Sequence, residues 1–276
     1  MLLAIPALRV LRRASPGDPL VLAAQPRIGR LLEVLGVVHR AVDFDALGLH
    51  ALFESESVDR WREWPARCAD DLRRARRVIA WIGSGEPGFV ERLTALVPGS
   101  VVAPSVGAER PVWEHLVDTV GASSAHLEPA IRAAVEVPTA LGDEARGDLA
   151  GSGWNGRDRL LIVHPGAGGR GKRWPAAGFA AVLEQVAALP GVAIALREPP
   201  LPRLAGMLTH AAAYLGNDSG ISHLAAALGV PSIVLFGAER LIWRPWAEHI
   251  EPIVVSPGAE KADAARVTAE VTRLLR

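Results

Sequence analysis

The sequence predicts an α/β protein with a mostly parallel sheet, built as two successive halves. Short apolar segments alternate with helical patterns along the chain, which is typical of strands joined by crossover helices. The alternation stops once, in the polar and Gly-rich segment 141–157, and then restarts. We therefore expect an N-terminal domain over 1–140, a linker over 141–157 and a C-terminal domain over 158–276.

In the N-terminal half, the apolar runs are too short for helices and indicate buried strands, whereas apolar residues at helical spacing indicate helices. Strands are predicted at 19–24, 77–82 and 100–104, and helices at 26–35, 45–54, 61–76 and 87–97. The first residues, MLLAIPALRVLRR, form an amphipathic pattern whose arginines follow the apolar run. A secretory signal carries its charges before that run, so we predict a helix that packs on the sheet or touches a membrane surface.

In the C-terminal half the same patterns recur with longer apolar runs. Strands are predicted at 159–165, 192–197, 212–216, 231–237 and 252–256. Helices are predicted at 175–189, 200–212 and 261–275, with one more after the polar segment GNDSGISH. In sheets of this type, ligands bind at the carboxyl ends of the strands, and we expect the site in the cleft between the halves.

Composition excludes several classes of protein. Half of the 276 residues are hydrophobic and 22% are charged, so the chain can bury a core. Thirty basic residues balance thirty acidic ones, and we expect no nucleic-acid partner. The single cysteine, Cys68, excludes a disulfide within the chain and a site built from several cysteines, and we interpret it as a small buried side chain. No apolar run reaches the length of a membrane span.

The first chemistry-bearing motif is HPGAGGRGKRWP, residues 164–175, which follows a strand and opens a helix. Glycines allow backbone N–H groups to face an anion, and Lys172 and Arg173 add positive charge. The motif is close to a P-loop, but Arg173 stands where Ser or Thr would hold magnesium. We therefore predict a phosphate-binding loop that is not an ATPase P-loop; a Gly-rich turn with a surface lysine is the alternative.

The second motif, GNDSGISH, begins at Gly216 and leads into the apolar run LAAALGV. Asn217 and Asp218 suit a helix N-cap, and the N–H groups of the first turn suit a phosphate. Ser219 and His223 are four residues apart and share a helix face. The alternative is a simple cap with a buried histidine. Together, the two loops fit the two phosphates of a nucleoside diphosphate.

These two motifs, HPGAGGRGKRWP and GNDSGISHLAAALGVPSIVLFG, resemble those of bacterial lipopolysaccharide heptosyltransferases, ADP-heptose-dependent enzymes of glycosyltransferase family 9 with the GT-B fold. The resemblance implies two Rossmann-like domains facing a cleft, with the nucleotide-sugar bound by the C-terminal one. It implies that phosphate or sugar is held by Lys172 and the backbone of Ala167, Gly168 and Gly169. It also implies that the N–H groups of Ser219 and Gly220 hold the diphosphate, with Asp218 and His223 beside them.

The chain departs from the family pattern in two places. The family usually has an acidic residue near the nucleoside, and Glu198 is the candidate for that position in this chain. Family members begin with a strand and a loop ending in Gly-Asp, whose Asp is the expected catalytic base. The resemblance aligns Met1 just after that Asp, so we expect the N-terminal domain to lack its first strand and assign no catalytic residue within the chain.

We predict an inverting, metal-independent glycosyltransferase that uses an ADP-sugar as donor substrate, with no other cofactor. The resemblance implies a lipopolysaccharide core or lipid A-linked acceptor, and a cytoplasmic location with peripheral contact at the inner membrane. The basic residues Arg9, Arg12, Arg13, Arg27 and Arg30 could face the phosphates of that acceptor or form a solvated face.

Two alternatives remain open: an inactive nucleotide-sugar binder that lacks the base, and a nucleotide-sugar epimerase of similar fold. No metal site is expected, because the histidines show no ligand spacing. Asp43-Phe44-Asp45 is interpreted as a strand end and helix cap.

Overall fold

A computed structural model describes residues 1–53, 70–107, 109–196, 199–256 and 258–276. The chain divides into two units, Leu3–Ile131 and Arg132–Arg276.

The first unit is built from short parallel strand pairs with helices around them. Strands β1 (Val21–Ala24) and β2 (Arg40–Asp43) pair in one sheet, and β3 (Ile79–Ala80) and β4 (Val101–Val102) pair in another. The helices of eight residues or more are Ile5–Ala14, Pro26–Val34, Pro87–Leu96 and Val112–Thr119. Shorter helices are Asp70–Arg74 and Pro129–Arg132, of which the last crosses the unit boundary.

The amphipathic N-terminal segment forms the predicted helix, Ile5–Ala14. Its first turn is buried, from Ile5 to Leu8, and the helix packs against Val112–Thr119. Burial of the apolar face against a neighbouring helix accounts for its stability, because an isolated helix of this length is marginal in water.

The second unit is a five-stranded parallel sheet in the order β6-β5-β7-β8-β9. Its strands are β5 (Arg159–His164), β6 (Val192–Ala195), β7 (Ala211–Asn217), β8 (Ser232–Phe236) and β9 (Ile250–Val254). Its helices are Thr139–Gly151, Ala176–Ala187, Leu201–Leu208, Gly220–Ala227 and Glu260–Leu274. All five strands predicted in this half are confirmed.

Both faces of this sheet are buried along the inner strands β5 and β8. The helices Ala176–Ala187 and Glu260–Leu274 cover one face, where their apolar side chains pack with Leu161, Leu215 and Ile233. On β5 the residues of the opposite parity, Leu160 and Ile162, are buried as well. Because these strands are buried on both faces, they carry runs of successive apolar residues, LLIV in β5 and IVLF in β8, and such runs could be recognised as strands in the sequence.

The prediction of a linker over 141–157 is wrong. Most of that segment belongs to the helix Thr139–Gly151, which lies in the second unit and packs on Leu201–Leu208. Arg203 holds it through Glu144 and Asp148, with Nη2 at 2.7 Å from Asp148 Oδ1. The helix buries little beyond Ala145 and Leu149, so its sequence carries almost no apolar periodicity.

One helix prediction in the first unit is also wrong. The segment 45–54 is not one helix but two 3₁₀ turns, Asp45–Leu47 and Leu49–Leu52. Gly48 separates them with a φ of 67°, a left-handed conformation that interrupts a right-handed helix. Most of the predicted helix 61–76 lies outside the described residues, as does Cys68, and the described part contains Asp70–Arg74.

Among the described residues, no helix is both long and apolar enough to cross a lipid bilayer.

The contact between Thr139–Gly151 and Leu201–Leu208 depends on Gly206. A Cβ atom at this position would overlap the carbonyl oxygen of Leu141 and lie 3.1 Å from Ala145 Cβ. We expect Gly206→Ala to lower the free energy of unfolding by about 1–3 kcal/mol, the usual cost of overpacking. Urea denaturation measures this change.

Gly147→Ala on the same helix is the matched control. Gly147 is exposed and a Cβ there would meet no atom within 4 Å, so alanine should stabilise the helix by about 0.5–1 kcal/mol. Equal effects of the two substitutions would contradict the described helix pairing.

Candidate functional site

The strand order places a switch point between β5 and β7. From β5 the chain moves to the edge strand β6 on one side, and then returns to β7 on the other. Adjacent loops therefore leave the carboxyl ends of β5 and β7 in opposite directions, and such a crevice is the usual ligand site of an open α/β sheet. Both motifs singled out from the sequence follow these two strands.

Asn217, at the end of β7, ties the Gly-rich loop to the second motif. Its side-chain Nδ2 donates to the carbonyl of Pro165 at 2.7 Å, and its Oδ1 accepts from the backbone N–H of Trp174 at 3.0 Å. One fully buried amide thus holds both ends of the loop 165–174. Inside the loop, Arg173 donates from Nε and Nη2 to the carbonyl of Ala167 at 3.0 and 2.9 Å, which fixes the loop internally.

Ser219 is the N-cap of the helix Gly220–Ala227, rather than Asn217 or Asp218 as predicted. Its Oγ accepts from the N–H of Ser222 at 3.3 Å. The Ser222 hydroxyl in turn donates to the Asn217 carbonyl and lies 3.0 Å from the Tyr214 hydroxyl. These bonds direct the Ser219 hydroxyl into the protein. The N–H groups of Gly220 and Ile221 are left for an external acceptor, because the first turn of a helix offers none.

Asp218 is a buried carboxylate that gathers three basic side chains. Arg240 Nε donates to Oδ2 at 2.6 Å, Lys172 Nζ lies 3.4 Å from the same oxygen, and His223 Nε2 lies 3.6 Å from Oδ1. The Asp218 side chain is only 4% exposed, whereas those of Lys172 and Arg240 are about one-third exposed. Two full positive charges against one negative charge leave the cluster with an excess of positive charge that faces solvent.

The pKa of Asp218 reflects this environment. Burial raises it, but the nearby His223, the hydrogen bond from Arg240 and the charge of Lys172 together outweigh burial and lower the pKa to about 2. Asp218 is therefore ionised throughout the physiological range. Such a weakly basic carboxylate is poorly suited to remove a proton from a hydroxyl group.

The structure brings together most of the predicted site residues. Lys172, Asp218 and His223 form the cluster, while Ser219 and Gly220 begin the helix beside it. A Cβ atom at Gly220 would meet nothing within 4 Å, so the approach to the helix N-terminus is open.

In the Gly-rich loop, Ala167 is buried with its carbonyl bonded to Arg173, and a Cβ atom at Gly168 would meet no atom within 4 Å. At Gly169 a Cβ would meet only Lys172 Cγ, at 3.9 Å. Glu198 lies outside the described residues. The role of these residues in donor binding stays a prediction.

Arg240 is the residue that sequence reasoning missed. It lies in the 3₁₀ segment Ala238–Trp243, directly after β8, and β8 is the neighbour of β7. The rule that functional groups follow the carboxyl ends of neighbouring strands could have indicated it.

The basic residues of the first unit that could face the acceptor do not form a cluster like the one at Asp218. Arg9 donates to the Ile131 carbonyl at 3.2 Å, Arg12 donates to the Val37 carbonyl at 3.3 Å, and Arg13 forms an ion pair with Glu128 at 2.7 Å. These three guanidinium groups therefore have protein partners, whereas Arg27 and Arg30 are exposed.

Asp43 ends β2, as predicted, and its side chain accepts from the Asp45 N–H at 3.1 Å at the start of the 3₁₀ turn Asp45–Leu47, whose N-cap residue is Phe44. Within the described ranges, no three His, Cys, Asp or Glu side chains cluster in a metal-binding arrangement.

Part of the second unit matches a known protein family. A family model described as glycosyltransferase family 9 (heptosyltransferase) matches residues 198–270. A lipopolysaccharide heptosyltransferase 3 of Escherichia coli is 30% identical over 131 residues, which is 37% of this chain and 37% of that protein. The protein of the same name from E. coli K12 is 46% identical over 50 residues, 18% of this chain and 14% of that protein. The predicted family resemblance is confirmed.

The matched segments span only 37% and 14% of the length of these two curated relatives. The family model begins at residue 198, so the loop carrying Lys172 lies outside it.

Solved structures resemble the chain over nearly its whole length. E. coli ADP-heptose LPS heptosyltransferase II has a TM-score of 0.67 at 17% identity, covering 100% of this chain and 95% of that one. A glycosyltransferase family 9 protein of Veillonella parvula has a TM-score of 0.69 at 17% identity, covering 99% and 93%. E. coli heptosyltransferase WaaC, solved with ADP, has a TM-score of 0.60 at 15% identity, covering 99% and 95%. These likenesses confirm the predicted fold, α/β of the GT-B type.

The lowered pKa of Asp218 implies that the free energy of unfolding depends on pH. A carboxylate whose pKa is lower in the folded than in the unfolded state stabilises the protein above its ordinary pKa, and this contribution is lost as the pH falls through the folded value. The shift from 3.8 to about 2 corresponds to about 2 kcal/mol. We expect Asp218→Asn to be less stable than the wild type at neutral pH, with the difference shrinking between about pH 4 and pH 2.

Urea denaturation as a function of pH measures this difference. Asp143→Asn, which removes an exposed carboxylate from the helix Thr139–Gly151, is the control and should change stability little. A gap between Asp218→Asn and the wild type that does not change with pH would contradict the described ionisation.

Proposed function

We propose that this chain is a glycosyltransferase of the heptosyltransferase type. It transfers a heptose-like sugar from an ADP-sugar to a lipopolysaccharide core or lipid A-linked acceptor, with inversion at the anomeric carbon. The main support for the proposal is that Lys172 and Arg240 both contact Asp218, beside the open N-terminus of the helix Gly220–Ala227. The family match over 198–270 supports the class of reaction, and the relatives' names suggest the donor and acceptor.

The proposed site suits a leaving nucleoside diphosphate. Transfer breaks the bond between the anomeric carbon and the diphosphate oxygen, so negative charge grows on the diphosphate in the transition state. Lys172 and Arg240 supply positive charge there, and the helix N-terminus adds N–H donors and a partial positive charge. Because these groups are fixed before the reaction, they stabilise the charge without reorganisation and need no metal ion.

The acceptor hydroxyl would lose its proton to a different carboxylate. Asp218 is held by cations and has a pKa of about 2, so we assign it to the anion site and not to proton transfer. The acceptor suggests that the protein works in the cytoplasm, at the inner face of the inner membrane.

Titration calorimetry with ADP and UDP tests the donor site. We expect the wild type to bind ADP in preference to UDP, and Lys172→Ala to weaken ADP binding about tenfold or more. A charge-assisted hydrogen bond contributes about 1.5–3 kcal/mol, and about 1.4 kcal/mol corresponds to a factor of ten.

Lys261→Ala is the matched control, since Lys261 is the chain's other lysine and is exposed on the helix Glu260–Leu274. It should bind ADP as the wild type does. Failure of the folded wild type to bind either nucleotide would overturn the proposal.

Activity separates the proposal from its two alternatives. Transfer from ADP-heptose to a lipopolysaccharide acceptor supports the transferase. ADP binding without transfer supports an inactive nucleotide-sugar binder. Preference for UDP, with release of an epimerised sugar from UDP-N-acetylglucosamine, supports an epimerase.

A further inference from the structure

Two contacts fix the orientation of the Arg240 guanidinium. Its Nε donates to Asp218 Oδ2 at 2.6 Å, and its central carbon lies 5.5 Å from the ring centroid of Trp243. Asp218 is buried directly after β7, and Trp243 is the last residue of the 3₁₀ segment that contains Arg240. An arginine held at one edge by a carboxylate and over an aromatic ring has lost most of its freedom before any ligand arrives.

The Nη1 and Nη2 groups of Arg240 have no acceptor among the described residues. Arginine has five N–H donors, of which four belong to Nη1 and Nη2. The Arg240 side chain is 31% exposed. In Arg173, by contrast, an Nη group does have a protein acceptor, because Nε and Nη2 both donate to the Ala167 carbonyl.

We propose that Arg240 binds the diphosphate of the donor through Nη1 and Nη2, and that Asp218 is the positioning residue that directs it there. This inference rests on the proposed function and adds a residue for binding the leaving group that the sequence motifs did not indicate. The free pair of nitrogens suits bidentate recognition of phosphate oxygens, which the single ammonium of a lysine cannot reproduce. Lys172 approaches the same Asp218 oxygen, so both cations border one anion position.

The test is titration calorimetry of the full chain with ADP. We expect Arg240→Gln to weaken ADP binding about tenfold or more, since a charge-assisted hydrogen bond is lost. Arg240→Lys should recover only part of the affinity, because it keeps the charge but not the paired donors. Arg244→Gln, four residues later, exposed and outside the Asp218 cluster, removes the same charge and should bind ADP as the wild type does.

A second measurement separates contact with phosphate from a purely structural role. At saturating ADP, Arg240→Gln should change the phosphorus NMR shifts of the bound diphosphate and leave the adenine proton shifts as in the wild type. Unaltered phosphorus shifts, or equal changes at phosphate and adenine, would overturn the inference.

The outcomes also separate this inference from the donor site itself. If Lys172→Ala weakens ADP binding and Arg240→Gln does not, the donor site stands and the role of Arg240 is wrong. If the folded wild type binds no ADP, both proposals fail.

Discussion

The site depends on one buried carboxylate that is kept ionised by the cations around it. Asp218 directly follows the central strand β7 and has almost no exposed surface, so an unpaired charge there would be strongly destabilising. Lys172 and Arg240, from the loops after β5 and β8, offset that cost by meeting its Oδ2. The carboxylate thereby fixes the positions of two side chains that are distant in sequence, and their remaining positive charge faces outward.

The sheet makes this meeting possible. Parallel strands end at one edge, so the loops after β5, β7 and β8 are neighbours although the chain separates them by a helix or more. Asn217 strengthens the arrangement, because a single amide holds both ends of the Gly-rich loop against β7. At the start of the helix Gly220–Ala227, the Ser222 N–H donates to the Ser219 hydroxyl oxygen. The other N–H groups of the first turn remain available to an anion.

The sequence was informative where burial is complete. β5 and β8 are apolar at successive positions because both sheet faces are covered, and a Gly-rich loop and a polar helix start stand out beside such runs. It was uninformative where a role depends on spatial neighbours. Arg240 is 22 residues from Asp218, and only the pairing of β7 with β8 brings them together. The helix Thr139–Gly151 was missed because it packs through Gly206 and ion pairs, which leave no apolar period.

The most direct test of the central claim is a crystal structure of the chain with ADP bound. We expect the diphosphate beside the first turn of the helix Gly220–Ala227, with phosphate oxygens in hydrogen-bond contact with Lys172 Nζ and the Nη atoms of Arg240. Asp218 should still accept from Arg240 Nε. A nucleotide bound elsewhere, or a diphosphate that touches neither cation, would show that the Asp218 cluster is not the diphosphate site.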